Sequence, residues 1–186
     1  MGILIPKLSR QVVVKTKLDE ATVVERIDSN TEWLSQPPAL VRRRLPYKAI
    51  WLLELDAPTT TRPLYGFRST ESIYLYRAPD HVKSAFQPNA AVSFKTFNGE
   101  CELHLNLIPF KQAVTVARLT SGTGLCLAMV GLALIPKMGM MAIGFTAIAL
   151  AIIFLNRIFA SLFFNGEVDN LEECIKTVVS RIPPKG

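Results

Sequence analysis

Charge disappears from the chain twice, over Leu119–Ile135 and over Met140–Leu155, with only Pro136, Lys137, Met138 and Gly139 between. Two uncharged runs split by a short Pro/Gly break predict two membrane-crossing helices joined by a tight turn. At roughly 1.5 Å per residue the first run rises about 26 Å, slightly short of a hydrocarbon core of about 30 Å. Thr115–Arg118 can extend it, and the second helix can continue past Asn156 and Arg157 to Phe164.

The pattern before this block has a different period. Arg10–Lys17 alternates, with Val12, Val14 and Thr16 on one side, which predicts a strand with one solvated face. Asp19 can cap a helix carrying Val23, Val24, Ile27 and Leu34. Pro37, Pro38 and Pro46 predict an irregular Ser35–Pro46, and Lys48–Asp56, apolar on both sides, predicts a short central strand. Leu64–Arg77 reads as one or two strands. Ala90–Phe97 and Glu100–Ile108 flank Asn98-Gly99, the strongest short hairpin signal, because both turn residues need positive φ.

After the apolar block, Asn165-Gly166 predicts a helix stop, and Asp169 with Glu172 a new capping box. Leu171, Cys174, Ile175, Val178, Val179 and Ile182 then recur at helical spacing until Pro183-Pro184. One apolar stripe on a final helix needs a surface to pack on, and the sheet of residues 10–108 offers one. The expected fold is α+β, a mainly antiparallel sheet with an N-terminal and a C-terminal helix, interrupted by a two-helix transmembrane hairpin. The expected parts are a strand-rich domain over 1–118, the hairpin over 119–164, and a helix and tail over 165–186 returning to the domain.

Composition refines this picture. A mean hydropathy of +0.28 is concentrated in one block, leaving an ordinary mixture elsewhere. Residues 1–118 hold 16 Lys/Arg against 11 Asp/Glu within a net charge of +6. Lys111, Arg118 and Arg157 flank the hairpin while its turn offers Lys137 alone, which predicts a cell (inner) membrane protein with both termini cytoplasmic. Met1–Ile5 is too short for a signal-peptide apolar region, and Pro6 stands where a myristoylation signal needs Ser or Thr. Cys101, Cys126 and Cys174 form no metal or disulfide spacing and read as three small buried hydrophobes in a reducing compartment.

Candidate chemistry is sparse. Glu102 and His104 can share a strand face, and His81 sits in a loop; neither His has metal-ligand spacing. Ser121-Gly122-Thr123-Gly124 lacks a phosphate-loop pattern, and no nucleophile elbow, HExxH or acid pair is present. No catalytic, metal or cofactor-binding residue is therefore assigned, and an enzyme is the less favoured class. Neither uncharged run holds an ionisable side chain, which disfavours a pump or a channel. Arg42, Arg43 and Arg44, with Arg118 and Arg157, are candidate contacts for anionic headgroups. Few aromatics neighbour Arg42–Arg44, so nucleic acid is not expected. Gly124, Ala128 and Gly131 fall on one face of the first apolar helix, and Ala142, Thr146 and Ala149 on one face of the second, as candidate helix-packing positions.

The layout of Asn98-Gly99, the block 119–164 and the helix over 169–182 resembles that of small bacterial two-helix integral membrane proteins. That resemblance implies no functional residue. The expected function is a non-catalytic integral membrane protein whose cytoplasmic domain binds a partner protein or anionic headgroups. A membrane-bound enzyme or ligand carrier, with a pocket between sheet and C-terminal helix, and an accessory subunit of a larger membrane complex are the alternatives. Expected partners are the lipid bilayer and either a membrane protein or a second copy.

Overall fold

The computed structural model describes residues 8–38, 40–44, 51–55, 60–70, 72–78, 87–97 and 99–180. The protein is α+β, and its described residues form a six-stranded mixed sheet, a separate two-stranded sheet and three helices. Two compact units divide it: residues 9–110 with 165–186, and residues 111–164 with 1–8.

In the first unit the six-stranded sheet is built from β1 (Arg10–Thr16), β2 (Thr31–Leu34), β5 (Leu64–Arg68), β6 (Ile73–Arg77), β7 (Pro88–Phe97) and β8 (Glu100–Pro109), with α1 (Glu20–Ser29) between β1 and β2. Its order is β1-β8-β7-β6-β5-β2. Every pairing is antiparallel except β2 with β5, so the sheet is mixed rather than uniformly antiparallel. The helix expected to reach Leu34 stops at Ser29, because Asn30 caps it and Thr31–Leu34 finds a strand partner instead. Asp19 is the N-cap, accepting from the backbone N–H of Thr22.

β7 and β8 close a two-residue connection, with Phe97 opposite Glu100 and Gly99 at φ +80°. Gly99 tolerates that angle because it has no Cβ. Asn98, the other half of that turn signal, lies outside the described residues, as do His81 and Ile182.

Alternation sorts the sheet into two faces. On one, Leu103, Leu105 and Leu107 of β8 join Val12, Val14, Ala90, Val92, Leu75 and Leu64, all buried. Val23 and Ile27 of α1 and Leu171, Ile175, Val178 and Val179 near the C-terminus are buried too. Polar ties join the terminal helix to this unit, among them Arg10 to Asp169 at 2.5 Å, Arg77 to Glu167 at 3.4 Å, and Arg26 donating to the Val179 carbonyl. On the other face, Tyr65 stacks on Tyr76 at 5.0 Å between ring centres, and Tyr76 on Phe110 at 5.9 Å. Burial pushes both tyrosine hydroxyls of the Tyr65–Tyr76 pair well above their ordinary pKa.

The second sheet corrects two expectations. Leu40–Arg44 is a strand, β3, not irregular chain, and it pairs antiparallel with β4 (Trp51–Leu55). β4 is therefore not a central strand of the main sheet. Pro37-Pro38 ends the preceding segment, yet the three consecutive arginines after Val41 do not oppose an extended backbone, and β4 supplies the missing hydrogen-bond partners.

α2 (Lys111–Met138) and α3 (Met140–Ser180) are longer than their uncharged cores. α2 passes through Pro136, and the break is Gly139 alone, at φ +55°, its N–H bonded to the Ile135 carbonyl at 2.9 Å. Pro136 has no N–H to give the Leu132 carbonyl, so it weakens the last turn of α2 just ahead of the break at Gly139. The helix stop expected at Asn165-Gly166 and the capping box at Asp169–Glu172 are both overturned, because α3 runs without interruption from Met140 to Ser180. Mid-helix Gly166 costs about 1 kcal/mol against alanine; burial of Val168, Leu171, Ile175 and Val178 outweighs it. Asp169 and Glu172 face Arg10 instead of capping.

Candidate functional site

In the unit formed by 111–164, side-chain size separates inside from outside. Ala117, Ser121, Gly124, Ala128 and Gly131 are buried along α2, and Ala142, Thr146 and Ala149 along α3, at alternating spacings of three and four. A Cβ added at Gly124 would lie 2.7 Å from Ile153 Cγ1, and one at Gly131 would strike the Thr146 hydroxyl. Small residues thus let the two backbones approach closely. Gly122 and Gly144 have open space where a Cβ would go, so glycine is not required there by contact.

Asn156 closes the lower end of this seam. Its amide donates to the Ala117 carbonyl at 3.1 Å and to Ser121 Oγ at 3.0 Å. Thr146 donates to the Ala142 carbonyl at 2.8 Å, so its buried hydroxyl is satisfied within its own helix. The Asn156–Ala117 bond also fixes which residues lie level. Arg118 and Arg157, each next to one of the bonded residues, stand at the same height and are exposed. Sequence reasoning treated Asn156 only as a flank. Its signal was available: it lies seven residues after Ala149, on the same helical stripe, as Ser121 lies seven before Ala128.

Large apolar side chains point the other way. Of the 22 that are exposed among the described residues, 20 fall between Val116 and Phe163, including Leu119 at 66 %, Ile148 at 63 % and Phe154 at 63 %. Both helices are long and apolar enough to cross a membrane, and only 22 % and 17 % of their most apolar windows are buried. A core helix of a soluble protein has the reverse character. Cys126 is exposed and Cys174 half-buried, which corrects the reading of three buried thiols; only Cys101 is buried, and burial pushes its thiol up.

The sheet carries a second cluster. Lys15, Glu102 and Lys95 sit opposite one another across β1, β8 and β7, and Val13, His104 and Ser93 form the neighbouring row. Lys15 Nζ lies 2.7 Å from Glu102 Oε1. The hydrogen bond from Lys15 holds the Glu102 carboxyl below its usual range, and the same bond pushes Lys15 up. His104 Nε2 is 3.4 Å from Glu102 Oε2, and His104 adds a smaller contribution to lowering that carboxyl. A groove of about 490 Å³ beside the pair is lined by His104, Lys95, Gln11, Ala91 and Asn106, but by neither Lys15 nor Glu102. Glu102 and His104 do come together, but on the face opposite Leu103, Leu105 and the terminal helix. A pocket of about 640 Å³ does lie between the sheet edge and the terminal helix, lined by Arg62, Arg77, Ala78, Asn170, Glu173 and Thr177, but Glu102 and His104 are not part of it; Leu105, Leu107, Leu171 and Ile175 are fully buried.

Arg42, Arg43 and Arg44 lie on β3 at the register positions of Leu53, Leu52 and Trp51. Among the described residues no three His, Cys, Asp or Glu side chains are grouped to hold a metal ion. Searches against protein-family models, curated proteins and solved structures returned no match.

Proposed function

We propose that this is a two-pass integral membrane protein whose α2–α3 hairpin anchors an α+β binding module, with both ends of the chain on the cytoplasmic side of the cell (inner) membrane. One observation supports the reading above the others: small residues occupy the inside of the helix pair while large apolar side chains project outward. In water that arrangement exposes more apolar surface than a folded monomer tolerates. In a bilayer it is the ordinary solution, since lipid tails solvate leucine and close packing holds the helices together.

The dimensions agree. Leu119–Met138 rises about 30 Å, the thickness of a hydrocarbon core. Arg118 and Arg157 then fall at one boundary and Lys137 at the other, and the excess of positive charge supports a cytoplasmic location for the Arg118 end. Asn156 and Ser121 sit just inside that boundary with each other as partners, which lowers the cost of placing an amide there. The module's partner is a protein or anionic headgroups, and a catalytic role is not part of the proposal. In the Lys15–Glu102–His104 cluster Lys15 is exposed and the other two are half-buried, and the carboxylate is committed to an ion pair.

Extraction of native membranes with alkaline carbonate tests the anchoring. The protein is expected to remain in the pellet and to enter solution only with detergent; release by carbonate alone would refute it.

A further inference from the structure

Among the described residues, β3 and β4 form a sheet of two five-residue strands, hydrogen-bonded to each other and not to the six-stranded sheet. An isolated two-stranded sheet is marginal in water, so something other than its own ladder must stabilise it. Its composition narrows what that is. β3 reads LVRRR and β4 reads WLLEL, giving three cationic positions, one acidic position and six apolar ones. In the register, Arg42 is opposite Leu53, Arg43 opposite Leu52 and Arg44 opposite Trp51. Glu54 is opposite Val41, so no arginine position is directly across from the carboxylate.

We propose that the β3–β4 sheet docks on the headgroup layer of an anionic bilayer, a reading that rests on the α2–α3 hairpin being membrane-inserted. Arginine beside tryptophan and leucine is the chemistry of the membrane boundary: guanidinium groups pair with phosphate, leucine enters the acyl margin, and an indole spans apolar and wet zones. Arg42 and Arg44 share one face of the strand pair with Leu53 and Trp51, while Arg43 falls on the other face with Glu54, so two basic residues meet the surface, a preference of about thirtyfold over a neutral one. Tethering adds to this, because a segment anchored in the bilayer meets headgroups at high effective concentration. An acidic protein would satisfy the arginines, but the leucine and tryptophan positions opposite them favour the bilayer.

The test uses the full chain in nanodiscs of phosphatidylcholine alone, or with about one-third phosphatidylserine. The protein has two tryptophans, Trp33 and Trp51. Trp33→Phe leaves Trp51 as the reporter; a Trp51→Phe chain, subtracted from the unaltered protein, gives the same signal without touching Trp33. Quenching by lipids brominated near the headgroup is expected to increase severalfold with phosphatidylserine. It is expected to fall back in high salt and in the chain carrying Arg42→Gln, Arg43→Gln and Arg44→Gln. Quenching equal in both discs, or indifferent to the arginines, would overturn the proposal. So would a blue-shifted Trp51 that brominated lipid does not quench, the outcome for a sheet covered by protein. Elution of the chain with the discs reports insertion separately, so a failed dock and a failed anchor are told apart.

Discussion

Asn156 Nδ2 donates to the backbone carbonyl of Ala117 across the helix pair, at 3.1 Å. This bond and its companion to Ser121 are the polar contacts that set one end of the α2–α3 seam. Asn156→Leu removes both while keeping an apolar side chain of similar size. The expected loss is about 1 kcal/mol of helix association, the usual scale for an interhelical bond in a membrane. Cysteines introduced by Ala128→Cys and Ala149→Cys report it through their cross-linking rate, which should fall. An unchanged rate would mean that the seam is set by packing alone.

The glycines of α2 and α3 divide into two classes that substitution separates. Gly124→Val and Gly131→Val place atoms on Ile153 and Thr146, and overpacking of this kind costs about 1–3 kcal/mol. Gly122→Val and Gly144→Val add atoms to open space and should be tolerated within the chain. The same cross-linking assay checks the contrast. Equal sensitivity at all four positions would contradict the described helix pairing.

Leu105 is 1 % exposed at the middle of the buried sheet face. Leu105→Ala should destabilise the α+β unit by about 2–5 kcal/mol. Amide hydrogen exchange in β8 and β1 should accelerate together, because Leu105 is directly opposite Val12 of β1. Exchange confined to β8 would show that the two strands open separately.

Two carboxyls are held below their ordinary range. The Thr22 hydroxyl, 2.5 Å from Asp19, is the main cause at Asp19, and Lys15 is the main cause at Glu102. A depressed folded-state pKa stabilises above the unfolded carboxylate range of about 4, and that contribution is lost as pH falls through the folded value. Lys15 has the opposite sign: its raised pKa contributes below about 10 and is lost as pH rises beyond it. Thr22→Val and Lys15→Gln should therefore each raise the titration midpoint of the partner carboxyl, followed by carboxyl-carbon NMR. Midpoints that stay in place would rule out these bonds in solution.

What the sequence made legible follows from where the signal is local. The Asn98-Gly99 connection and the alternation over Arg10–Lys17 depend on neighbouring residues, and the strands stand there. The absence of charge over Leu119–Ile135 and Met140–Leu155 similarly marks two long apolar helices. Signals that depend on distant partners misled. Leu34 continues the helical spacing of α1, yet β5 draws Thr31–Leu34 into the sheet. Asn165-Gly166 resembles a stop, but the stripe from Val168 to Val179 keeps the helix running. Arg42–Arg44 looked like loop because its strand partner, β4, lies beyond a proline. In the candidate site, the small residues of the seam follow a readable period, whereas the pairing of Asn156 with Ala117 depends on how the two helices align.

The most direct test of the account is the sidedness of the hairpin turn. In a chain whose three cysteines are replaced by alanine, Lys137→Cys and Lys185→Cys are probed separately with a membrane-impermeant maleimide. A two-pass hairpin with cytoplasmic ends predicts that the thiol at 137 reacts only in right-side-out vesicles and the thiol at 185 only in inverted ones. Both thiols reacting from the same side would contradict the membrane-spanning hairpin.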